Sequence, residues 1–151
     1  MKKMITAVIC CVLALSLAAC GSGKYTPSEY SDSEVNDKIQ MFIKQKTVTD
    51  ETDEFTVVIE NTTDVDYTYG VSQRLEIWKN SKWCVVEDNM AFSTMQLLTL
   101  PAGATDELNF NVADHYGKLS DGRYRVVMVF SDHDGNQAIA AAEFGIGRAE
   151  K

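Results

Sequence analysis

The sequence predicts an all-β fold, an antiparallel β-sandwich of seven to nine short strands. Three observations predict it. From Ile39 onward apolar and polar residues alternate in short runs, and turn-forming residues separate the runs at regular intervals. No segment carries a convincing apolar stripe at helical spacing. Third, Tyr124, Val126, Met128 and Phe130 alternate along an apolar run that follows Asp121-Gly122, where Gly takes positive φ without a Cβ clash and Asp bonds its own backbone. Arg123 and Arg125 open the other face of that run, and Val126 to Phe130 is the expected central strand.

The first nineteen residues read as an address. Lys2 and Lys3 form a positive start, and Met4 to Ala18 is an apolar run of about fifteen residues, short of the roughly twenty a membrane span needs. The run closes with Leu17-Ala18-Ala19-Cys20, then Gly21-Ser22, which resembles the lipobox of bacterial lipoproteins. That resemblance implies a signal peptide over 1–19 and covalent diacylglycerol on Cys20. It places the protein at the cell membrane, lipid-anchored on the extracytoplasmic side. Two acyl chains hold a protein stably where one does not. Cleavage there leaves 132 of the 151 residues, enough for one domain with a single core. Losing Lys2 and Lys3 takes the formal charge from −8 to −10, which argues against nucleic acid as a partner. Cys10 and Cys11 leave with the signal and Cys20 is lipidated, so Cys84 stands alone and no internal disulfide is expected.

Residues 20–36 are rich in Ser, Gly, Asp and Glu without an apolar period, the composition of a flexible tether with a reach of about 20–25 Å. The sandwich is expected over 37–147, with a tail at 148–151. Ile39, Met41 and Ile43 alternate in a first strand; Thr47 to Glu54 is a polar, acidic turn; Phe55, Val57 and Ile59 make a second strand, stopped at Asn61-Thr62-Thr63-Asp64. Val65 to Gly70 is a third strand. Gln73 to Trp78 and Lys82 to Glu87 flank a tight Asn80-Ser81 hairpin. Met95 to Leu100 ends at Pro101-Ala102-Gly103, and Thr105 to Val112 resumes. Asp114 to Lys118 has room for one helical turn. After the central strand, Asp132 to Asn136 forms a turn and Gln137 to Gly145 the last strand, where pairing context is expected to override the helix propensity of Ala138 to Ala142.

Leu119, Gly122 and Tyr124 at the mouth of the central strand resemble the tyrosine corner of β-sandwiches, in which the phenol bonds back to upstream backbone. Together with Phe55 to Thr63, Tyr67 to Gly70, Leu75-Glu76, Lys82-Trp83, Leu100 to Gly103 and Tyr116-Gly117, this order resembles a bacterial immunoglobulin-like domain of the kind found in small Gram-positive lipoproteins. The resemblance implies an immunoglobulin-like antiparallel sandwich of non-catalytic role. A weaker likeness, in strand order and corner, is to sandwich-type proteinase inhibitors of bacilli; fold alone does not carry function across.

A two-residue Asn80-Ser81 turn puts Leu75, Ile77, Cys84 and Val86 on one face and Glu76, Trp78, Trp83 and Val85 on the other. The first set is the core face. The paired indoles are then a candidate patch for a protein or glycan of the cell envelope, with Tyr67 or Tyr69 nearby. A three-residue loop would send Trp83 inward instead, and a neighbouring loop could cover the pair. Asp132, Asp134, Asn136 and Glu143 partly match a calcium loop, but Gln137 replaces the sixth-position Gly and both flanks read as strand, so an ordinary hairpin turn explains the same residues. His115, His133 and Cys84 lie outside any metal or nucleophile spacing, so neither cofactor nor enzymatic activity is expected. The expected function is a lipid-anchored binding module; the alternative is a peptidase inhibitor presenting a loop near Asn89 to Thr94.

Overall fold

The structure is a computed structural model that describes residues 25–35, 38–72, 74–90 and 96–147. Cys20 and the tail 148–151 lie outside them. Ten strands and one short helix follow in order: β1 (Tyr25–Pro27), β2 (Ile39–Ile43), β3 (Glu54–Asn61), β4 (Tyr67–Gly70), β5 (Arg74–Lys79), β6 (Lys82–Val86), β7 (Leu97–Leu100), β8 (Thr105–Asn111), α1 (Val112–Tyr116), β9 (Gly122–Ser131) and β10 (Gln137–Ile146). Among the described residues no helix is long and apolar enough to cross a membrane.

The strands form two antiparallel sheets, an all-β sandwich. The larger runs β1-β6-β5-β9-β4-β7, with β10 on the other side of β9; the smaller is β2-β3-β8. The alternating run after Asp121-Gly122 is the central strand because it is paired on both sides. β10 follows it from Gly122↔Ile146 to Ser131↔Gln137. Opposite, β5 takes its first half, from Ile77↔Tyr124 to Arg74↔Val127, and β4 its end, at Tyr69↔Phe130. The alanine run of β10 is strand, as pairing context required: each residue finds a partner on β9, and Ala138, Ala140 and Ala142 turn inward and are buried.

Between the sheets lies one core, in which Phe55 stacks on Phe110 at 4.9 Å and meets Phe144 edge-on at 5.0 Å. Tyr69 and Phe130 add a tilted pair at 5.2 Å. Buried Asn61 clasps the far end of β3: its amide donates to the carbonyls of Val65, Leu100 and Pro101, and its oxygen accepts from Thr63. Among the described residues no buried side-chain nitrogen or oxygen lacks a partner.

The N-terminal segment corrects the expectation of a tether running to Asn36. Tyr25–Pro27 adds an edge strand to β6, with Tyr25↔Val86 and Pro27↔Cys84, which is why the count is ten and not seven to nine. Residues 28–35 then cross the outer face of the larger sheet and end at a parallel bridge from Val35 to Ile139. Composition concealed this because the segment is held by polar contacts, not by an apolar period.

Candidate functional site

The hairpin has the two-residue geometry. Asn80 and Ser81 both take positive φ, 51° and 60°, and Trp78 faces Trp83 across the strands. Leu75, Ile77 and Cys84 are buried in the core while Glu76, Trp78, Trp83 and Val85 share the outer face. The two indoles meet edge-on at 5.1 Å. They are not an open pair, however. Trp83 is only 4% exposed, and its ring nitrogen donates to the Asp32 carboxylate at 2.7 Å. Trp78 is half-buried. Tyr67 and Tyr69 are buried core residues and belong to no surface patch, because their alternation places both on the inner face of β4.

What covers Trp83 is the segment 28–35, which acts as a strap over a buried ion pair. Glu76 and Arg125 are cross-strand partners on β5 and β9, 0% and 1% exposed, and Arg125 Nε donates to Glu76 at 2.7 Å. The strap completes their bonding. Ser28 donates to the second Glu76 oxygen, the Tyr30 carbonyl accepts from Arg125 at 2.7 Å, and Asp32 accepts from Arg125 at 3.1 Å. Arg74 reaches Glu29 and lies 5.0 Å over the Tyr30 ring. Arg125 also stacks on Trp83, its guanidinium carbon 4.4 Å from the ring centre. A buried pair of this kind needs such additional partners, since its own attraction barely offsets desolvation. The outer face of the sheet is thus an internal polar layer. The sequence signal for it was a Glu between Leu75 and Ile77 in β5 and an Arg at the fourth position of the central strand.

Beside this layer lies a cleft of about 1040 Å³ at the end of β5, β9 and β10, lined by Trp78, Lys79, Asp121 to Arg123 and Glu143 to Gly147. Arg123 crosses its mouth, 5.5 Å over Trp78 and 5.1 Å over Trp83, and donates twice to Glu143 at 2.7 and 2.9 Å. Both members of that pair are about half exposed. The cleft therefore combines one accessible indole, charges of both signs and a glycine-lined rim. Gly147 is required there: its φ is +79°, and a Cβ would sit 2.2 Å from the Asp121 carboxyl carbon. This arrangement can bind through stacking and hydrogen bonding; it offers no nucleophile beside a base.

At the base of the cleft the chain enters the central strand. The Tyr124 hydroxyl donates to the Ser120 carbonyl at 2.7 Å, and burial pushes its phenol above the ordinary range. Gly122 is small because Ile77 and Tyr124 pack over it; an added Cβ would lie 3.3 and 3.4 Å from them. Leu119 is buried beneath the corner.

The remaining candidates are not assembled. Asp132 accepts from the backbone of Asp134 and Asn136 and from the Asn136 amide, the bonding of a self-satisfied turn that also lowers its pKa. Glu143 is six residues down β10 from the turn and engaged with Arg123, so the calcium arrangement does not form. His115, in α1, pairs with Asp88 at 2.9 Å, and His133, in the turn between β9 and β10, pairs with Asp134 at 3.2 Å. Of the loop proposed for an inhibitor, Asn89 donates to the His115 carbonyl and Met90 is exposed; 91–94 lie outside the described residues. Asp50 in the acidic run pairs with Lys118 at 2.8 Å.

Comparison with solved structures returns distant likenesses. The archaellum periplasmic stator protein FlaG from Sulfolobus acidocaldarius is 12% identical with a TM-score of 0.40, covering 68% of this chain and 96% of that one. The PmoD soluble domain from a Methylocystis species is 14% identical with a TM-score of 0.35, covering 83% and 100%. The PapD-like domain 7 of human CEP192 is 12% identical with a TM-score of 0.33, covering 82% and 96%. None of these likenesses bears on function. No curated protein matches in sequence. A family model described as a bacterial Ig-like domain matches residues 35–144. Because that match spans the sandwich from the end of the strap into β10, the chain belongs to the bacterial Ig-like domain family.

Proposed function

We propose that this chain is a lipid-anchored, extracytoplasmic, non-catalytic binding module that engages a protein or glycan of the cell envelope through the Trp78 cleft. The observation that carries the reading is the cleft itself. It combines a half-buried indole with exposed charges, whereas Trp83 is taken up by the strap and Tyr67 and Tyr69 by the core. Its ionisable side chains are Lys79, Asp121, Arg123 and Glu143, the last two committed to each other, a set suited to orienting a ligand and not to transforming one. Anchoring is supported by the closing Leu17-Ala18-Ala19-Cys20 of the apolar run.

The test is capture from solubilised envelope with the soluble domain beginning at Tyr25, beside a folded Trp78→Ala, Arg123→Ala variant. A ligand retained by the first and lost by the second supports the cleft; equal capture by both, or by neither, removes it. Labelling of cells with a fatty-acid analogue is expected to mark the protein and to leave Cys20→Ser unmarked. Label on both, or on neither, would end the anchoring reading.

A further inference from the structure

The chemistry of the cleft beside the hairpin narrows the class of ligand it fits. Four ionisable side chains line it, Lys79 and Arg123 against Asp121 and Glu143, so its formal charge cancels. An anion entering it meets two carboxylates, and a cation meets an ammonium and a guanidinium. A neutral ligand meets neither penalty. The apolar share of the lining is restricted too. Ile146 is buried and Phe144 packs against the core, which leaves Trp78 as the one large apolar side chain there outside the core. A protein interface draws its affinity from anchors that fill desolvated pockets, and a rim of Gly122, Gly145 and Gly147 builds none.

The polar groups and the indole are held in place before any ligand arrives. Trp83 meets the Trp78 ring edge-on at 5.1 Å, and Trp83 is itself fixed by Asp32 and by Arg125 on its face. Arg123 lies over both indoles and donates twice to Glu143. The Asp121 carboxyl sits over Gly147, where only a residue without a Cβ leaves it room. A site with its side chains already ordered loses little entropy on binding. This set matches a pyranose ring. One face of such a ring carries C–H groups that pack on an indole, and its rim carries hydroxyls that each donate and accept. A guanidinium and a carboxylate side by side offer a fork of donors and a pair of acceptors to adjacent hydroxyls, and hydrogen bonds to charged groups are the stronger kind. At about 1040 Å³ the cleft is as large as the largest small-molecule sites, with room for more than one ring. We infer that the cleft is a site for a neutral oligosaccharide, stacked on Trp78 and held at its hydroxyls by Arg123, Glu143, Asp121 and Lys79. The inference rests on the binding role proposed above for the cleft and selects the glycan over the protein.

The experiment titrates the full chain, in a detergent without a sugar headgroup, with matched tetrasaccharides. Cellotetraose and chitotetraose are neutral, the deacetylated chitosan tetramer is cationic and tetragalacturonate is anionic. Calorimetry and Trp emission read the binding. A neutral tetrasaccharide is expected to bind several-fold more tightly than either charged one. Trp78→Ala, its fold checked by circular dichroism, should weaken that binding about tenfold, and Trp78→Phe should recover part of it. Solubilised envelope passed over the same chain supplies saccharides the panel lacks. Material whose retention depends on Trp78 and Arg123, survives exhaustive proteinase digestion and yields monosaccharides on acid hydrolysis supports the inference. Tighter binding of a charged tetrasaccharide, or retained material that proteinase destroys, overturns the saccharide class and leaves the binding role of the cleft intact. Saccharide binding that Trp78→Ala leaves unchanged overturns the stacking, and the inference with it. No retention through the cleft, from the panel or the envelope, overturns both readings.

Discussion

Tyr124 shows how one side chain fixes a backbone crossing. Its ring is buried against Phe144 at 5.5 Å and its hydroxyl reaches back to the Ser120 carbonyl, so the turn at Asp121-Gly122 is tied to the strand it starts. Tyr124→Phe keeps the ring and removes the bond, and the predicted loss is about 1–2 kcal/mol in urea unfolding. An unchanged midpoint would show that the bond is dispensable. The Leu-x-x-Gly-x-Tyr spacing was enough to find this residue, because the contact is local. Arg125 is the opposite case. Its partners Tyr30, Asp32 and Glu76 come from 49 to 95 residues away, and no spacing in the sequence couples them.

At the scale of elements, the β5–β6 hairpin was legible because its turn length decides which face each side chain takes. The faces followed from the two-residue turn; the covering of Trp83 did not. The turn itself holds two non-glycine residues at positive φ, where Asn is tolerated and Ser is not favoured. Ser81→Gly is predicted to stabilise the domain by about 0.5–1 kcal/mol, seen as a higher melting temperature with an unchanged spectrum. A lower melting temperature would mean that Ser81 makes a contribution beyond its backbone. Tyr67 and Tyr69 were misplaced for a related reason. Two aromatics at positions i and i+2 of a strand share a face, but only the sandwich decides which face is inner.

For the molecule as a whole, the strap makes residues 25–35 part of the domain. A chain shortened to begin at Asp37 would leave Arg125 and Glu76 without Ser28, Tyr30 and Asp32. Its predicted loss is about 3–5 kcal/mol, the cost of leaving a buried pair short of partners. Denaturant unfolding with Trp emission checks it: Trp83 is expected to shift to the red, and full stability of the short chain would return the segment to the status of a tether. The core also sets a pH limit. Burial, with the Asp88 charge second, pushes the Tyr116 phenol up from 10.0 to about 12, and burial raises Tyr69 and Tyr124 too. A proton held more tightly in the fold than in the unfolded chain stabilises fully below pH 10 and is lost as the pH rises through 12. The melting temperature should therefore fall over that window, with native phenolate absorbance lagging that of the denatured protein. Coincident titration of both forms would refute it.

Sequence by itself determined the all-β class, the order and extent of nearly every strand, the central strand, the corner and the two faces of the hairpin. These follow from period-two alternation and turn chemistry, which act over a few residues. Only the tertiary structure decided that an acidic, Ser-rich segment is a strap, that Glu76 and Arg125 are buried together, and that Trp78 alone of the four aromatic candidates lines a cleft. Those outcomes depend on which polar groups meet across distant strands, and burial of a charge is favourable only where such partners converge.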